Sequence, residues 1–237
     1  MAKKKKTTTQ PATTKSAGGG GEQEPLKVNW YVIGGAVIIL AAIVYFSIQQ
    51  EGRAATAASG GSGDCTPTTK QWGSPPAMTI DASREYTATV NLQKGGEFTI
   101  QLYADKAPIT VNSFVFLARE GFFNCVTFHR VLEGFMAQGG DPAGTGAGGP
   151  GYQFVNEDSD LVFDKAGVVA MANSGRDTNG SQFFITFGPA DFLNGGYTIF
   201  GQVISGMDVV NGITRRDPDT APDFTGDVIE SVTITEK

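Results

Sequence analysis

The sequence predicts a mainly β domain, a closed eight-stranded antiparallel barrel capped by two helices, preceded by one transmembrane helix. Three observations lead to this prediction: eight short apolar runs typical of strands, two helical segments, and one long segment without charge. Short strands in an open sheet would leave exposed edges, and closure into a barrel removes them. Periodicity alone fits a β-sandwich equally well.

A single apolar segment near the N-terminus predicts the transmembrane helix. Residues 28–50 are 23 consecutive residues without a formal charge, and a helix of that length matches a hydrocarbon core of about 30 Å. Six lysines precede the segment, whereas only Arg53 and Lys70 follow it closely. The positive-inside rule then places the N-terminus in the cytoplasm and the folded domain on the other side of the cell membrane. A signal peptide cleaved near residues 54–58 is the alternative.

The chain on either side of this segment has the composition of flexible peptide. Residues 1–27 form a basic tail with too few apolar side chains to bury a core, and we expect it to be disordered. Residues 51–77 are rich in Gly, Ser and Thr, which is typical of a linker. The folded domain is therefore expected over residues 78–237.

Alternation of apolar and polar residues predicts the first two strands, six further short apolar runs predict the others, and two segments predict helices. Gly95-Gly96 separates the first two alternating runs and is typical of a hairpin turn. Pro108 suits the first turn of a helix that ends at Gly121, and a second short helix is expected over residues 207–213. The predicted strands are residues 86–92, 97–103, 127–131, 135–138, 168–172, 182–187, 198–204 and 228–235.

Charge is distributed unevenly along the chain. Residues 1–76 carry eight lysines and arginines against four acids, a net charge of +4, whereas residues 77–237 carry 10 against 20, a net charge of −10. An acidic domain repels phosphate backbones, so we exclude nucleic acid as its ligand. The lysines of the tail are explained by membrane topology and by contact with anionic lipid.

Cysteine and histidine contents limit the metal chemistry open to the chain. The single histidine, His129, excludes a multi-histidine metal centre, and the two cysteines exclude a four-thiolate zinc site, so no metal or other cofactor is expected. Cys65 and Cys125 could form a disulfide if the domain lies outside the cell, and two free thiols are the alternative. No G-x-S-x-G nucleophile motif occurs, so His129 is interpreted as a buried structural residue rather than a general base.

A glycine-rich stretch over residues 139–151 contains a formal match to the dinucleotide-binding motif at Gly144, Gly146 and Gly149. That motif needs a helix directly after it, and the GGPG run at residues 148–151 cannot start one cleanly. We therefore interpret the stretch as a wide loop whose glycines adopt positive φ.

Polar residues stand among large apolar ones in several stretches of the domain. They are FHRV at 128–131, GFMAQGGD at 134–141, GTGAGGPGY at 144–152, AMANS at 170–174 and TNGSQFFIT at 178–186. Together they resemble the cyclophilin family of peptidyl-prolyl cis/trans isomerases over about residues 86–235. The resemblance implies a barrel with an active groove on its outer face, and catalysis of rotation about X–Pro bonds during protein folding. It also implies proline-containing unfolded or extended polypeptides as partners, and we expect a monomer.

Carried over by position, the resemblance implies a site built around one arginine. Arg130 is the implied catalytic residue and Gln138 its amide partner. Phe192 and Tyr197 stand where the commonest eukaryotic pattern has tryptophan and histidine, but both still supply apolar walls. The implied substrate-binding residues are Phe135, Met136, Ala172, Asn173, Gln182, Phe184, Phe192, Leu193 and Tyr197.

An arginine suits this reaction because no bond is made or cleaved. Rotation about an X–Pro bond crosses a barrier of about 18–20 kcal/mol, and at the twisted transition state the proline nitrogen becomes a better hydrogen-bond acceptor. A guanidinium fixed near that nitrogen binds the twisted state more tightly than either planar state. The alternative is a proline-binding docking module with negligible turnover. The combination of Arg130 with Phe135, Gln138 and Phe184 favours the enzyme.

Overall fold

Eight strands and two α-helices form the part of the chain that the computed structural model describes, residues 65–220 and 222–237. The predicted tail, the predicted transmembrane segment and the first part of the linker lie outside these residues. No helix within them is long and apolar enough to cross a membrane. In chain order the elements are β1 (Tyr86–Leu92), β2 (Glu97–Leu102), α1 (Pro108–Arg119), β3 (Arg130–Leu132), β4 (Met136–Gly139), β5 (Val168–Met171), β6 (Phe183–Thr186), β7 (Ile199–Ser205), α2 (Met207–Asn211) and β8 (Ile229–Glu236).

All eight strands lie in one antiparallel sheet with the order β3-β4-β6-β5-β7-β2-β1-β8. Each predicted strand and helix has a counterpart, with small shifts at the ends. β1 and β8 pair along their whole length, since Tyr86 lies opposite Glu236 and Leu92 opposite Ile229. The two ends of the strand series are therefore neighbours in the sheet.

The sheet is curled into a half-barrel and is not closed, so the predicted closed barrel is wrong. β3 and β8 are the end strands and share no ladder. In place of a ladder, the irregular segment 125–128 connects to residues 227–229 through an isolated bridge between Thr127 and Val228 and three backbone hydrogen bonds of 2.7–2.9 Å. The physical reason is that the residues facing β8 are irregular: the backbone turns at Cys125, which has a positive φ of 66°, and the strand predicted over residues 127–131 enters the sheet only at Arg130.

The sheet buries side chains on both of its faces. Side chains alternate along a strand, so Ala137 and Ile185 point into the main core while Met136 and Phe184 point to the outer face. All four residues of β5 and of β6 are buried for this reason. A second apolar cluster therefore lies outside the sheet over β4, β5 and β6. This outer cluster consists of Met136, Phe163, Val168, Ala170, Phe184, Ala190 and Ile199.

Helix α1 packs on the main core through its buried face, which includes Phe114. Its first turn contains no acidic residue and no side-chain cap of its own. The Glu157 carboxylate accepts instead, from the backbone N–H groups of Ile109 and Thr110 at 2.9 and 2.8 Å. A negative group at a helix N-terminus satisfies free donors and opposes the helix dipole. This cap comes from a distant loop, so no local pattern predicts it.

Residues 65–77, the end of the predicted linker, make specific contacts with the domain and are called the strap below. A disulfide joins Cys65 to Cys125, with Cα atoms 5.3 Å apart. The Trp72 ring packs edge-on against Phe116 at a centroid distance of 5.1 Å. The cysteine pairing that the sequence left open is therefore present, and the strap follows a defined course along the domain.

Removing the disulfide is expected to destabilise the domain. The Cys65→Ser/Cys125→Ser double variant opens a loop with a sequence separation of 60 residues, and the chain-entropy model gives a loss of about 4 kcal/mol as an upper value. Denaturant unfolding of the full-length wild type and variant measures the difference. A reducing agent should lower the stability of the wild type and leave the variant unchanged. Equal stabilities under oxidising conditions would contradict the pairing.

Candidate active site

Side chains from neighbouring strands form a row on the outer face of the sheet. Arg130 of β3 lies directly opposite Gln138 of β4, and Gln138 lies opposite Phe184 of β6. Residues directly opposite one another share a face of the sheet. Ala170 of β5 continues the row next to Phe184. The fold thus places the predicted catalytic arginine on the same face as the outer cluster.

Arg130 is half-buried and carries a charge without a partner. Within residues 65–220 and 222–237, its guanidinium makes no ion pair and no hydrogen bond, whereas every other arginine there donates to a carboxylate or a carbonyl. Withdrawing a charge from water without a compensating contact is unfavourable. The guanidinium is therefore available to a ligand. The engaged arginines are Arg84, Arg119, Arg176, Arg215 and Arg216.

Gln138 does not hydrogen-bond to Arg130 in the described part of the chain. Its Nε2 donates to Oε1 of Gln182 at 2.9 Å. Gln182 Nε2 donates in turn to the carbonyl oxygens of Gly146 and Gly148, each at 2.9 Å. Gln138 is thus a ladder neighbour of the arginine, and the two glutamines connect its strand pair to the glycine-rich loop.

An apolar slot lies beside this row. Phe184 stacks on Phe163 with ring centroids 5.8 Å apart and meets Tyr197 edge-on at 5.4 Å. The predicted residues that belong to the outer cluster or pack against it are Phe135, Met136, Ala172, Phe184, Leu193 and Tyr197. Several of them are only partly buried, so apolar surface remains open to a ring of the size of proline.

Sequence reasoning missed the residues that complete the slot. Phe163 and Ala190 are buried in the outer cluster, and the Ala190 N–H donates to the Phe163 carbonyl at 2.7 Å. The Phe163 N–H donates to the Asn194 side chain at 3.0 Å. Both segments cross the sheet in irregular conformation, so neither strand alternation nor helical spacing marks them. The available signal was the short apolar run Leu161-Val162-Phe163 between acidic residues.

Phe192 lies at the edge of the slot and mostly in solvent. Its side chain is 75% exposed, although its ring centroid is 5.6 Å from that of Phe135. It belongs to the short 3₁₀ helix Asp191–Leu193. A large exposed apolar ring next to a slot suits contact with a ligand rather than with the core.

A buried carboxylate shapes the glycine-rich loop. Asp141 accepts hydrogen bonds from four backbone N–H groups of residues 143–148 at 2.7–3.1 Å. Burial by itself would raise the pKa of this carboxyl, but the backbone donors lower its pKa below the usual value. Gly144 and Gly146 have φ of 64° and 84°, as predicted. A Cβ at Gly148 would lie 2.0 Å from Asp141 Oδ1, so the loop can wrap the charge only with glycine there.

The loop and the outer face enclose a groove of about 630 Å³. Gln138, Ala172, Asn173 and Gln182 line it, so the predicted groove residues lie together and continue from the slot to the loop. The backbone N–H and carbonyl of Asn173 make no hydrogen bond with any residue that the structure describes. These groups are free to pair with an extended peptide.

His129 lies beneath the loop and does not line the groove. Burial lowers the pKa of its imidazole, and the nearby Asp141 charge opposes that shift. The residue is buried, neither of its ring nitrogens has a hydrogen-bond partner among the described residues, and it has no place in the row of Arg130. Across the described residues, no group of three or more His, Cys, Asp or Glu side chains is arranged to hold a metal ion.

Comparison with known proteins identifies the family. A family model described as cyclophilin type peptidyl-prolyl cis-trans isomerase/CLD matches residues 87–236. Peptidyl-prolyl cis-trans isomerase-like 1 of Mus musculus is 50% identical over 122 residues, which cover 50% of this chain and 74% of the relative. A peptidyl-prolyl cis-trans isomerase of Schizosaccharomyces pombe is 45% identical over 154 residues, covering 62% and 99%. Peptidyl-prolyl cis-trans isomerase B of Bacillus subtilis is 46% identical over 127 residues, covering 53% and 89%.

A solved structure shares the fold. The cyclophilin type peptidyl-prolyl cis-trans isomerase of Cryptosporidium parvum superposes with a TM-score of 0.57 at 30% identity, covering 65% of this chain and 99% of that one. The chain therefore belongs to the cyclophilin-type family and is a peptidyl-prolyl cis-trans isomerase. The family match begins within β1, so the strap lies outside it.

Replacing Asp141 by Asn is expected to destabilise the loop and the fold. The variant removes the charge that four N–H groups share and turns an amide donor toward them, a loss of about 3 kcal/mol. The folded pKa of Asp141 lies below the unfolded value of about 3.9. Its contribution is therefore complete above about pH 5 and is lost as the pH falls through the folded pKa.

The unfolding free energies of wild type and Asp141→Asn, measured by denaturant titration, should accordingly converge as the pH is lowered from about 6 to about 2. Asp164→Asn, at an exposed carboxylate outside the loop, is the matched control and should show no such convergence. If the difference in unfolding free energy between wild type and Asp141→Asn stayed constant over the whole pH range, the role assigned to this carboxylate would be refuted.

Proposed function

We propose that the enzyme accelerates X–Pro rotation by directing the Arg130 guanidinium at the proline nitrogen while the apolar slot holds the ring. The observation that carries this proposal is the condition of Arg130: half-buried, without a partner among the described residues, and in one row with Phe184. In a planar amide the nitrogen lone pair is delocalised and accepts a hydrogen bond poorly. At the twisted transition state it is localised, so the guanidinium stabilises that state selectively.

The arginine alone supplies part of the acceleration. A hydrogen bond to a charged group contributes about 1.5–3 kcal/mol, which is about one to two powers of ten in rate. The remainder comes from the slot formed around Met136 and Phe184. It fixes the ring while the carbonyl side of the peptide turns in a poorly hydrated groove.

The glutamine pair and Asn173 serve to bind the peptide that flanks the X–Pro bond, and they do not act on that bond itself. Gln138 and Gln182 hold the glycine-rich loop at the edge of the groove through their chain of hydrogen bonds. Asn173 offers a free backbone N–H and carbonyl at the same groove. An extended polypeptide can pair with such groups in the manner of an added strand.

Proline-containing polypeptides in unfolded or extended form are the proposed substrates. The Cryptosporidium parvum enzyme was also solved in the presence of the dipeptide ala-pro, and that structure has 31% identity to this chain and a TM-score of 0.56. This supports an X–Pro unit as the ligand of the slot. A docking module with weak turnover is the second candidate, and it has no need of an unpaired arginine at the proline nitrogen.

Arg130→Ala is expected to lower kcat/KM for an Ala-Pro peptide about ten- to hundredfold, because one charge-assisted hydrogen bond to the transition state is lost. The stability of the domain should hardly change, since Arg130 has no partner among the described residues. Exchange spectroscopy by NMR measures the isomerisation rate at equilibrium, and denaturant unfolding measures the stability.

Two further variants make this test specific. Arg130→Lys keeps the charge without the planar fork and should give an intermediate rate. Arg84→Ala removes an arginine that is paired with Glu236, and it should isomerise as the wild type does. If Arg130→Ala isomerised the peptide as fast as the wild type, the proposed mechanism would be wrong. If the wild type bound the peptide without isomerising it, the docking module would be favoured.

We also propose that residues 28–50 anchor the enzyme in the cell membrane, with the N-terminus in the cytoplasm and the isomerase domain outside. The uncharged segment and the lysines before it support this topology. The Cys65–Cys125 disulfide supports it independently, because such bonds persist in oxidising compartments and are rare in the cytosol. The enzyme would then act on polypeptides at the outer surface of the membrane.

Protease added to intact cells should digest the isomerase domain of the full-length chain and spare a tag fused to the N-terminus. Membrane fractionation should recover the tag and the domain together. A soluble domain without the tag would point to cleavage after the apolar segment instead. A domain that resists protease until the membrane is permeabilised would overturn the proposed orientation.

A further inference from the structure

The strap contributes a side chain to the wall of the groove. Gln71 lines the groove together with the loop residues Pro150 and Gly151. A Cβ at Gly151 would lie 3.1 Å from the Gln71 Cβ and 2.8 Å from the Trp72 carbonyl oxygen. The strap therefore passes the loop at van der Waals distance, at a point where only glycine leaves enough room.

Contacts on both sides hold Gln71 in this position. On one side the Trp72 N–H donates to the Pro150 carbonyl at 2.8 Å, and its ring packs against Phe122 as well as Phe116, with the Phe122 centroid 5.9 Å away. On the other side Lys70 Nζ lies 3.2 Å from the Glu120 carboxylate. The disulfide at Cys65 fixes the beginning of the strap. The backbone of Gln71 is thus anchored while its side chain is exposed.

The lining of the groove is polar but uncharged. It consists of amide and hydroxyl side chains, glycines, two alanines and a proline, and it contains no Asp, Glu, Lys or Arg. The Gln71 amide makes no hydrogen bond with another residue in the described ranges, so both its oxygen and its nitrogen are available. A charged peptide side chain entering such a groove would lose hydration and find no opposite charge.

We propose that Gln71 is a specificity-determining residue, which selects peptides with an uncharged polar side chain, such as Asn, Gln, Ser or Thr, next to the X–Pro unit. The inference rests on the proposed binding of proline in the slot beside Arg130. Gln71 belongs to the strap and not to the segment that matches the family. It therefore adds a recognition element to this chain from outside the cyclophilin domain.

Charge-reversing substitutions of Gln71 in the full-length enzyme test the proposal. Gln71→Glu and Gln71→Lys are compared with wild type on peptides that share an Ala-Pro core and carry Gln, Lys or Glu at the flanking positions. Gln71→Glu should raise the ratio of kcat/KM for Lys over Glu peptides about three- to tenfold, and Gln71→Lys should lower it by a similar factor. Both changes in this ratio should become smaller at high salt concentration, because salt screens the interaction between charges.

Two controls separate the proposal from a general change of charge or of structure. Turnover of an Ala-Pro dipeptide, which is too short to reach from the slot to the strap, should be the same in all variants. Gln93→Glu and Gln93→Lys make the same charge changes at an exposed glutamine that does not line the groove, and they should leave the peptide preference unchanged.

The possible outcomes distinguish the two proposals. If the wild type isomerises the dipeptide but the Gln71 variants keep the wild-type preference, the specificity role is wrong and the proposed function stands. The specificity role is also wrong if the Gln93 variants change the ratio of kcat/KM as much as the Gln71 variants do. The change would then come from the net charge of the protein and not from a contact in the groove. If the wild type turns over no X–Pro peptide, the proposed function itself fails and the inference falls with it.

Discussion

Burial of the central strands on both faces is the constraint on which the rest of the molecule depends. β5 and β6 expose none of their residues, so an apolar layer is needed outside the sheet as well as inside it. The inner face is covered by the curl of the sheet and by α1. The outer face is covered only by irregular segments around Phe163 and Ala190. That cover is incomplete beside Phe184, and the resulting gap in the outer layer is the slot of the active site.

Two charged side chains near the groove differ in whether the protein supplies them with hydrogen-bond partners. Asp141 is buried, and its carboxylate accepts hydrogen bonds from four backbone N–H groups and the Thr145 hydroxyl of the loop that it organises. Arg130 is half-buried and makes no ion pair with any residue that the structure describes. If the carboxylate had the freedom to reach the guanidinium, the two would form an ion pair and the arginine would be unavailable to substrate. With the acid enclosed in its own loop, the cationic side chain of Arg130 lies next to a groove whose lining is uncharged.

Local patterns predicted those parts of the fold that depend on neighbouring residues. Alternation and short apolar runs located the eight strands, and Pro108 and Gly121 marked the limits of α1 well. The motif residues around Arg130 and Phe184 also lie together, because the register of β3, β4 and β6 places them opposite one another. Patterns failed where the deciding contact is distant in sequence.

The open edge of the sheet, the Glu157 cap on α1 and the partner of Gln138 are contacts of that distant kind. The attachment of the strap also depends on distant contacts. Its Gly, Ser, Thr and Pro residues are typical of a free linker, but Cys65 and Trp72 within it contact Cys125 and Phe116 of the domain. Composition describes what a segment can do alone, whereas its attachment depends on surfaces that exist only in the folded domain.

The pairing of β1 with β8 has a consequence for biosynthesis. The strand that completes the sheet beside β1 is synthesised after the other seven described strands, and it lies 137 positions after the end of β1 when Leu92 is counted to Ile229. Until that strand has left the ribosome, β1 lacks one of its two neighbours and the sheet keeps an apolar edge exposed. The sheet can therefore be completed only after residues 229–236 have been synthesised, and the nascent chain must remain soluble until this strand arrives.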